Sequence, residues 1–233
     1  MLPRRFAELP VEMQNESVSP YFELLSAKRR QLFFRRAAEL PLALFLLALL
    51  LPLMGFIAAA VCFDSPGGAI YRQTRVTALG RRFTIYKFRT MRFSPGDGGQ
   101  LAGSGDSRIT RVGRLLRRLR LDELPQLWNI VRGEMSFVGP RPELPRFIER
   151  YDRAALATLL LPAGLTGPAS LAFAGEERYL DTDESERVYA DLILPRKNAV
   201  NLAYIASFSI WLDLKILFQT LCYLFSGGNS EKQ

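Results

Sequence analysis

Along residues 1–27, apolar and polar positions follow no steady period, and Pro, Glu, Ser and Asn interrupt them. This stretch predicts a poorly ordered extension or surface helix, the bulk of an N-terminal extension over 1–34. From Leu40 to Phe63 the pattern changes: the 24 residues LPLALFLLALLLPLMGFIAAAVCF carry no charge. At ~1.5 Å per residue a straight helix of that length reaches about 36 Å, enough to cross a bilayer. It is too long and too far along the chain for an ordinary secretory signal. A buried helix of a soluble core is the alternative, but uninterrupted apolar runs of this length favour the membrane. Pro52 stands mid-run, where it removes the bond to the Ala48 carbonyl and predicts a break in a membrane segment over 35–63. Lys28, Arg29, Arg30, Arg35 and Arg36 precede the run and further arginines follow it. Positive flanks on both sides favour the cytoplasmic face for both ends. A helix that enters, turns at Pro52 and leaves on the same side satisfies them; a kinked spanning helix is the other course, and the residues alone leave both open.

After the turn-rich DSPGG (64–68), the run AIYRQTRVTALGRRFTIYKFRTM (69–91) has strand-forming residues on both sides of Gly80 and predicts a hairpin. Residues 93–108, rich in Gly, Ser and Asp, predict a mobile loop. In ITRVGRLLRRLRL (109–121), Ile109, Val112, Leu115, Leu116 and Leu119 fall on one helical face and arginines on the other. Such a basic amphipathic helix suits a membrane interface or a solvated face over a core stripe. A second helix is expected from Asp122 or Glu123 to about Arg132, stopped near Gly133. The C-terminal stretch 199–225 is apolar and aromatic yet carries Asp213 and Lys215, which points to an interfacial or packed helix rather than a spanning one. Cys62 and Cys222 sit in apolar runs and read as small packed hydrophobes.

Composition narrows the chemistry. The 233 residues contain no histidine and two cysteines, which excludes histidine-activated nucleophiles, His or Cys zinc sites and a disulfide framework. The net charge of +8 is concentrated: residues 64–120 hold 13 Lys and Arg against 3 Asp and Glu. That segment calls for an anionic partner, be it nucleic acid, an anionic membrane or a polyphosphate. Phosphate-loop and dinucleotide fingerprints are absent.

Within LDELPQLWNIVRGEMSFVGPRPELP (121–145), Asp122 and Glu123 are adjacent carboxylates that follow four arginines. An ionised carboxylate beside a cationic pocket can attack phosphorus or hold Mg²⁺; a capping Asp with a first-turn Glu is the plainer reading. The Gly139-Pro140-Arg141-Pro142 turn presents one guanidinium, whose fork suits a phosphate. Lys87 and Arg89 alternate along the presumed strand and can clamp a diphosphate or stand in solvent.

The ordered run DSPGGAIYRQTRV, GRRFTIYKFRTM, SRITRVGRLLRRLRLDELPQLWNIVRGEMSFVGPRPELP, PAGLTG and FSIWLDLKIL resembles the bacterial sugar transferases known as monotopic phosphoglycosyl transferases. The likeness extends from about Arg35 to Phe225. It implies transfer of a sugar-1-phosphate from a UDP-sugar to a polyprenyl phosphate such as undecaprenyl phosphate, with release of UMP, as the first membrane step of surface-glycan assembly. It implies that Asp122 is the nucleophile of a covalent phosphosugar intermediate and a Mg²⁺ contact, and that Glu123 assists the metal or a proton transfer. It further implies that Arg117, Arg141 and Asp213 are functional positions. The fold it implies is α+β and mostly helical: a membrane-embedded monotopic protein with a re-entrant helix broken at Pro52, interfacial amphipathic helices and a small catalytic core over 64–233, at the cytoplasmic face of a bacterial inner membrane. The partners are then a UDP-sugar, the lipid phosphate and the membrane, and not nucleic acid. Three motifs depart from the family pattern: Leu51-Pro52 stands where many relatives have Ser-Pro, GPASL (167–171) follows the threonine-glycine turn, and Val200-Asn201 replaces an aromatic-Asp pair. A noncatalytic adaptor that keeps the fold is the alternative from another class, and the intact DE pair argues against it.

Overall fold

The computed structural model describes residues 2–92, 106–175 and 185–226. Two 3₁₀ turns (Phe6–Glu8 and Val11–Met13) lead into helix α1 (Ser19–Ala27). Of the expected loose extension or surface helix, the helix forms over Ser19–Ala27, but the segment is not loose: Leu9, Met13, Val18, Phe22 and Leu25 are buried in the main core. Their spacing is irregular because two tight turns and a helix, rather than one element, deliver them to the same cavity wall. The Arg29 guanidinium fastens the segment by donating to the carbonyls of Leu2, Pro3 and Arg4, and Lys28 Nζ donates to the Phe208 carbonyl at 2.6 Å.

Helix α2 (Arg29–Asp64) is 36 residues long and contains both Pro41 and Pro52. Helical structure is not interrupted at Pro52, where a break was expected; a proline can bend a helix without interrupting it. Proline forfeits one backbone bond, and the turns on either side are long enough to carry the helix across. Among the described residues α2 is the one helix long and apolar enough to cross a membrane, with a window of mean hydropathy 2.7 that is only 11% buried. That low burial excludes the core-helix reading, since a core helix would cover this surface. Its two ends, by contrast, are covered. Near the start, Arg36 donates to the carbonyls of Ile130 (2.8 Å) and Val131 (3.3 Å); near the finish, Ile57 and Val61 pack with Phe88 and Leu116.

Strands β1 (Ile70–Val76) and β2 (Arg82–Phe88) form the expected antiparallel hairpin, with register from Ile70 opposite Phe88 to Val76 opposite Arg82. Leu79 (φ 59) and Gly80 (φ 69) make the turn, the left-handed pair that a tight hairpin requires. Much of the expected loop, residues 93–105, lies outside the described residues. Helix α3 (Arg111–Arg118) begins with Thr110, whose side chain accepts from Gly113 N, and the Asp64 carboxylate at the end of α2 accepts from Val112 N at 2.9 Å. Only part of its apolar stripe is covered: Leu116 is buried, while Leu115 and Leu119 are about half exposed.

The second helix forms in two pieces, a 3₁₀ turn (Leu121–Glu123) and α4 (Gln126–Val131). Gly133 (φ 78) ends it as expected. Strand β3 (Met135–Val138), buried along its length, pairs in parallel with β4 (Ala163–Thr166); neither was expected, because a fully buried four-residue strand shows no alternation. The last helices are α5 (Leu194–Ala206), entered through a π-helical turn over Tyr189–Ile193, and α6 (Ile210–Phe225). On α6, Asp213 and Ile216 face the core while Trp211, Leu214, Phe218 and Leu221 are exposed, so the helix is packed on one side and apolar outside. Cys62 and Cys222, expected to be packed, are both exposed, because each faces the uncovered side of its helix.

Candidate active site

Three elements converge on the DE pair. The hairpin brings Lys87 from β2, the link between α3 and the 3₁₀ turn brings Arg120, and the segment after β3 brings Arg141. Glycines make the last placement possible: Gly139 N donates to the Thr166 carbonyl (2.9 Å) and Gly164 N to the Pro140 carbonyl (2.8 Å). A Cβ on Gly139 would lie 2.6 Å from the Pro162 carbonyl oxygen, so only glycine permits the chain to pass that closely. Asn129, buried in α4, holds the other side by donating to the Thr84 carbonyl (2.7 Å) and accepting from Tyr86 N (3.2 Å). This contact fixes the height of Lys87 along β2 relative to the DE turn.

Glu123 is the hub. Its Oε1 accepts from Lys87 Nζ at 2.9 Å and Arg141 Nη2 at 2.8 Å, and Arg120 Nη1 lies 3.6 Å away. Burial alone would raise its pKa, but Arg141, Lys87 and Arg120 outweigh burial and hold the carboxyl well below the usual range. Lys87 is pushed down, by burial first and then by Arg141, against the pull of Glu123; with Glu123 at hydrogen-bond distance the pair is ionic.

Asp122 differs from its neighbour. Its Oδ1 is buried and has no hydrogen-bond partner among the described residues. Burial raises its pKa, the Glu123 charge adds to this, and Lys87, Arg120 and Arg141 act the other way. The same cations thus depress Glu123 and do not outweigh burial at Asp122. Asp122 also does not cap α4, whose N-cap position is Pro125; its side chain turns into the protein instead.

The other candidates are placed as follows. Arg89 lies away from the DE pair: its guanidinium donates to the carbonyls of Ser65 (2.8 Å), Gly67 (3.2 Å), Val61 (3.4 Å) and Pro66 at the end of α2. It satisfies a helix C-terminus, for which a cation is well suited. Arg117 donates to Thr90 Oγ1 (3.0 Å) and Met91 Sδ (3.1 Å) beside β2. Asp213 belongs to a second buried cluster, accepting from Tyr204 Oη at 2.6 Å with Arg35 Nε 3.3 Å away. Sequence reasoning missed Arg120, Asn129 and a buried trio behind Arg141, in which Tyr189 Oη donates to Glu143 (2.5 Å) and Lys197 Nζ to Tyr189 (2.9 Å). A polar residue in an otherwise apolar helical face, such as Asn129 or Lys197, is the signal that was available.

The described residues hold no cluster of three or more metal-ligating side chains. Mg²⁺ commonly takes one or two carboxylates and completes its shell with water and substrate phosphates, and the Asp122–Glu123 pair, with one oxygen unpartnered, fits that donor set. Adjacent carboxylates under three cations suit a phosphate ester, with one carboxylate held and the other available to react.

A family profile described as bacterial sugar transferase matches residues 30–227. Among curated proteins, the chain is 35% identical over 199 residues to the UDP-N-acetylgalactosamine-undecaprenyl-phosphate N-acetylgalactosaminephosphotransferase of Aeromonas hydrophila, covering 84% of this chain and 44% of that protein. It is 37% identical over 216 residues to the UDP-glucose:undecaprenyl-phosphate glucose-1-phosphate transferase of Escherichia coli, covering 90% of this chain and 44% of that protein. The protein of the same name from Caulobacter vibrioides is 36% identical over 210 residues, 84% of this chain and 71% of its own length. The chain thus spans less than half the length of the first two relatives. With the profile covering most of its length and the DE turn, its cations and the Gly-Pro-Arg-Pro segment assembled in one place, the chain belongs to the bacterial sugar transferase family.

Proposed function

We propose that this protein transfers a sugar-1-phosphate from a UDP-sugar to a polyprenyl phosphate such as undecaprenyl phosphate, releasing UMP, through a covalent intermediate on Asp122, and so starts a surface glycan. The observation that carries this is the buried, unpartnered Oδ1 of Asp122 beside a Glu123 that gathers three cations. Leaving such an oxygen unpaired costs about 1–3 kcal/mol; Asp213 Oδ2 and Asn201 Oδ1 share that state, and Asp122 differs from them in standing beside Lys87, Arg120 and Arg141. The relatives' names carry the same donor and acceptor classes.

Chemically, a carboxylate oxygen of Asp122 attacks the sugar-bearing phosphorus of the donor. The Asp–O–P bond forms as the bond to the bridging oxygen breaks, and UMP leaves with that oxygen and its electron pair. An oxygen of the lipid phosphate then attacks the same phosphorus and frees the Asp122 carboxylate, leaving a lipid-linked diphosphate sugar. Arg141 and Lys87 neutralise charge that would otherwise repel carboxylate from phosphate, and Glu123 holds both in place. Mg²⁺, held by Asp122 and Glu123, would supply further neutralisation of the diphosphate when bound.

The exposed middle of α2 sits in the membrane in this reading, on a re-entrant course with both ends at the cytoplasmic face. Its support is that both ends rest on the same body, Arg36 on α4 and Val61 on β2 and α3, and that basic residues flank both ends. The partly exposed α3 and α6 stripes then lie at the interface.

The test is the intact mass of detergent-purified protein incubated with Mg²⁺ and a panel of UDP-sugars without lipid, beside Asp122→Asn, with UMP followed in parallel. A phosphosugar adduct on the wild type and none on the variant is the expected result. UMP release without any adduct, undiminished by Asp122→Asn, would refute the covalent role of Asp122.

A further inference from the structure

Arg120 lies at the site without a part in the chemistry just described. Among the described residues only it and Leu79 are non-glycine residues with positive φ. Leu79 belongs to a tight hairpin, where that conformation is routine; Arg120 (φ 56, ψ 20) joins α3 to the DE turn. A left-handed non-glycine residue costs about 1–2 kcal/mol, and such cost persists where the surroundings impose it, often at functional positions. The consequence is a sharp bend that carries the side chain back over its own turn, three residues on, to Glu123.

We infer that Arg120 is a substrate-phosphate contact, its guanidinium leaving the edge of Glu123 to take a phosphate oxygen as the anionic substrate arrives beside Asp122. This inference rests on the transferase reading. Three observations support it. Of the three cations around Glu123, Arg120 is held most loosely, at 3.6 Å against 2.9 Å for Lys87 and 2.8 Å for Arg141. Its side chain is also the most open, at 34% exposure against 21% and 27%. Swinging away leaves Glu123 with two charge-assisted hydrogen bonds, whereas releasing Lys87 or Arg141 would strip one from a buried carboxylate, a loss worth about 1.5–3 kcal/mol. The third support is charge: among the described residues three cations, Lys87, Arg120 and Arg141, stand around the two carboxylates, an arrangement that suits an anionic phosphate. A guanidinium can meet a phosphate with two parallel hydrogen bonds, which Glu123 at 3.6 Å does not receive from it.

The phosphate can belong to the donor diphosphate or to the acceptor lipid, and the experiment separates them. In an Asp122→Asn background, which holds substrate without turning it over, binding of UDP and of a short-chain polyprenyl phosphate is measured by calorimetry at two salt concentrations. Variants are Arg120→Gly and Arg120→Asn, both compatible with the left-handed backbone, and Arg120→Lys. Arg120→Gly and Arg120→Asn are expected to bind one of the two ligands about tenfold more weakly, with a smaller salt dependence, and Arg120→Lys to recover part of the loss. In the active enzyme the KM for that substrate rises about tenfold while kcat stays within about threefold. Weaker UDP assigns the contact to the donor, weaker lipid phosphate to the acceptor. Both affinities within twofold of the parent, in variants whose melting temperature is unchanged, would overturn the inference. Arg120-dependent UDP binding in a protein that releases no UMP would leave this contact standing and overturn the transferase reading instead.

Discussion

Two buried clusters in this protein join carboxylates to arginine, and they are built to opposite ends. In the first, Arg35 of α2 faces Glu39 (3.1 Å) and Asp213 (3.3 Å), and also donates to Ser136 and the Val138 carbonyl. Glu39 accepts in addition from Ser136 and from Phe137 N (3.2 Å), and Asp213 from Tyr204 (2.6 Å). One cation serves two carboxylates, neutral donors share the load, and α2, β3 and α6 are latched together. In the second, three cations face Asp122 and Glu123, and one oxygen of Asp122 is left over. The latch has more carboxylates than cations, with Asp213 Oδ2 kept by its ion pair to Arg35 and by no hydrogen bond, whereas the described residues of the site have more cations than carboxylates, a surplus that suits an anionic phosphate. Both clusters are buried and charged. What separates the two here is the sign of the surplus: carboxylate in the latch, cation at the site.

The sharpest way to break this comparison is Asp122→Asn. UMP release should fall by about 10³-fold or more, as for loss of a nucleophile, with folding intact by circular dichroism. Next in size is Arg35→Met, which strands Glu39 and Asp213: stability should drop by about 3–5 kcal/mol in denaturant titration, while kcat per folded molecule changes little. A kcat loss matching that of Asp122→Asn would merge the two clusters into one functional unit. Third comes the pair Lys87→Met and Arg89→Met. Loss of Lys87 should lower kcat/KM about 10²-fold. Loss of Arg89, which caps α2, should instead cost about 1–3 kcal/mol of stability and leave kcat nearly unchanged.

The smallest effect is in the pH dependence of stability. Glu123 is depressed below its ordinary 4.5, so its contribution is present above that value and is lost as pH falls through the lower folded one. Asp122 is raised above its ordinary 3.8: the folded state holds that proton more tightly, so stability falls as pH rises from 3.8 through the folded value. Asp122→Asn should therefore melt slightly higher than wild type at neutral pH, with the advantage gone below 3.8. Glu123→Gln should melt lower at neutral pH, converging on wild type in acid. Thermal melts of the three proteins across pH 3–8 check both signs.

Much of this was legible in the chain. The apolar run that became α2 announced itself by length, the hairpin by strand-forming residues about Gly80, and the site by adjacent carboxylates next to a basic helix. The contact of Glu123 with Arg141 was not among these readings and comes from the structure. Less legible was the division of labour between near-identical neighbours. Lys87 and Arg89 alternate on one strand and look alike as side chains, yet the strand ends between them, and the end of α2 offers Arg89 four carbonyls. Asp122 looked like an ordinary cap and is not one, because a 3₁₀ turn and Pro125 intervene before α4 begins.

The sequence by itself determined which segments are apolar enough to leave water, where the turns fall, and which side chains carry reactive chemistry, since these depend on composition and local backbone preference. Only the tertiary structure decided that the N-terminal residues join the core, that α2 runs unbroken through Pro52, that β3 and β4 pair, and that Arg120 completes a ring of three cations around Glu123. Those outcomes depend on long-range contacts and on the balance of donors and acceptors in a buried place. That balance is a property of several distant segments at once and is written in none of them singly.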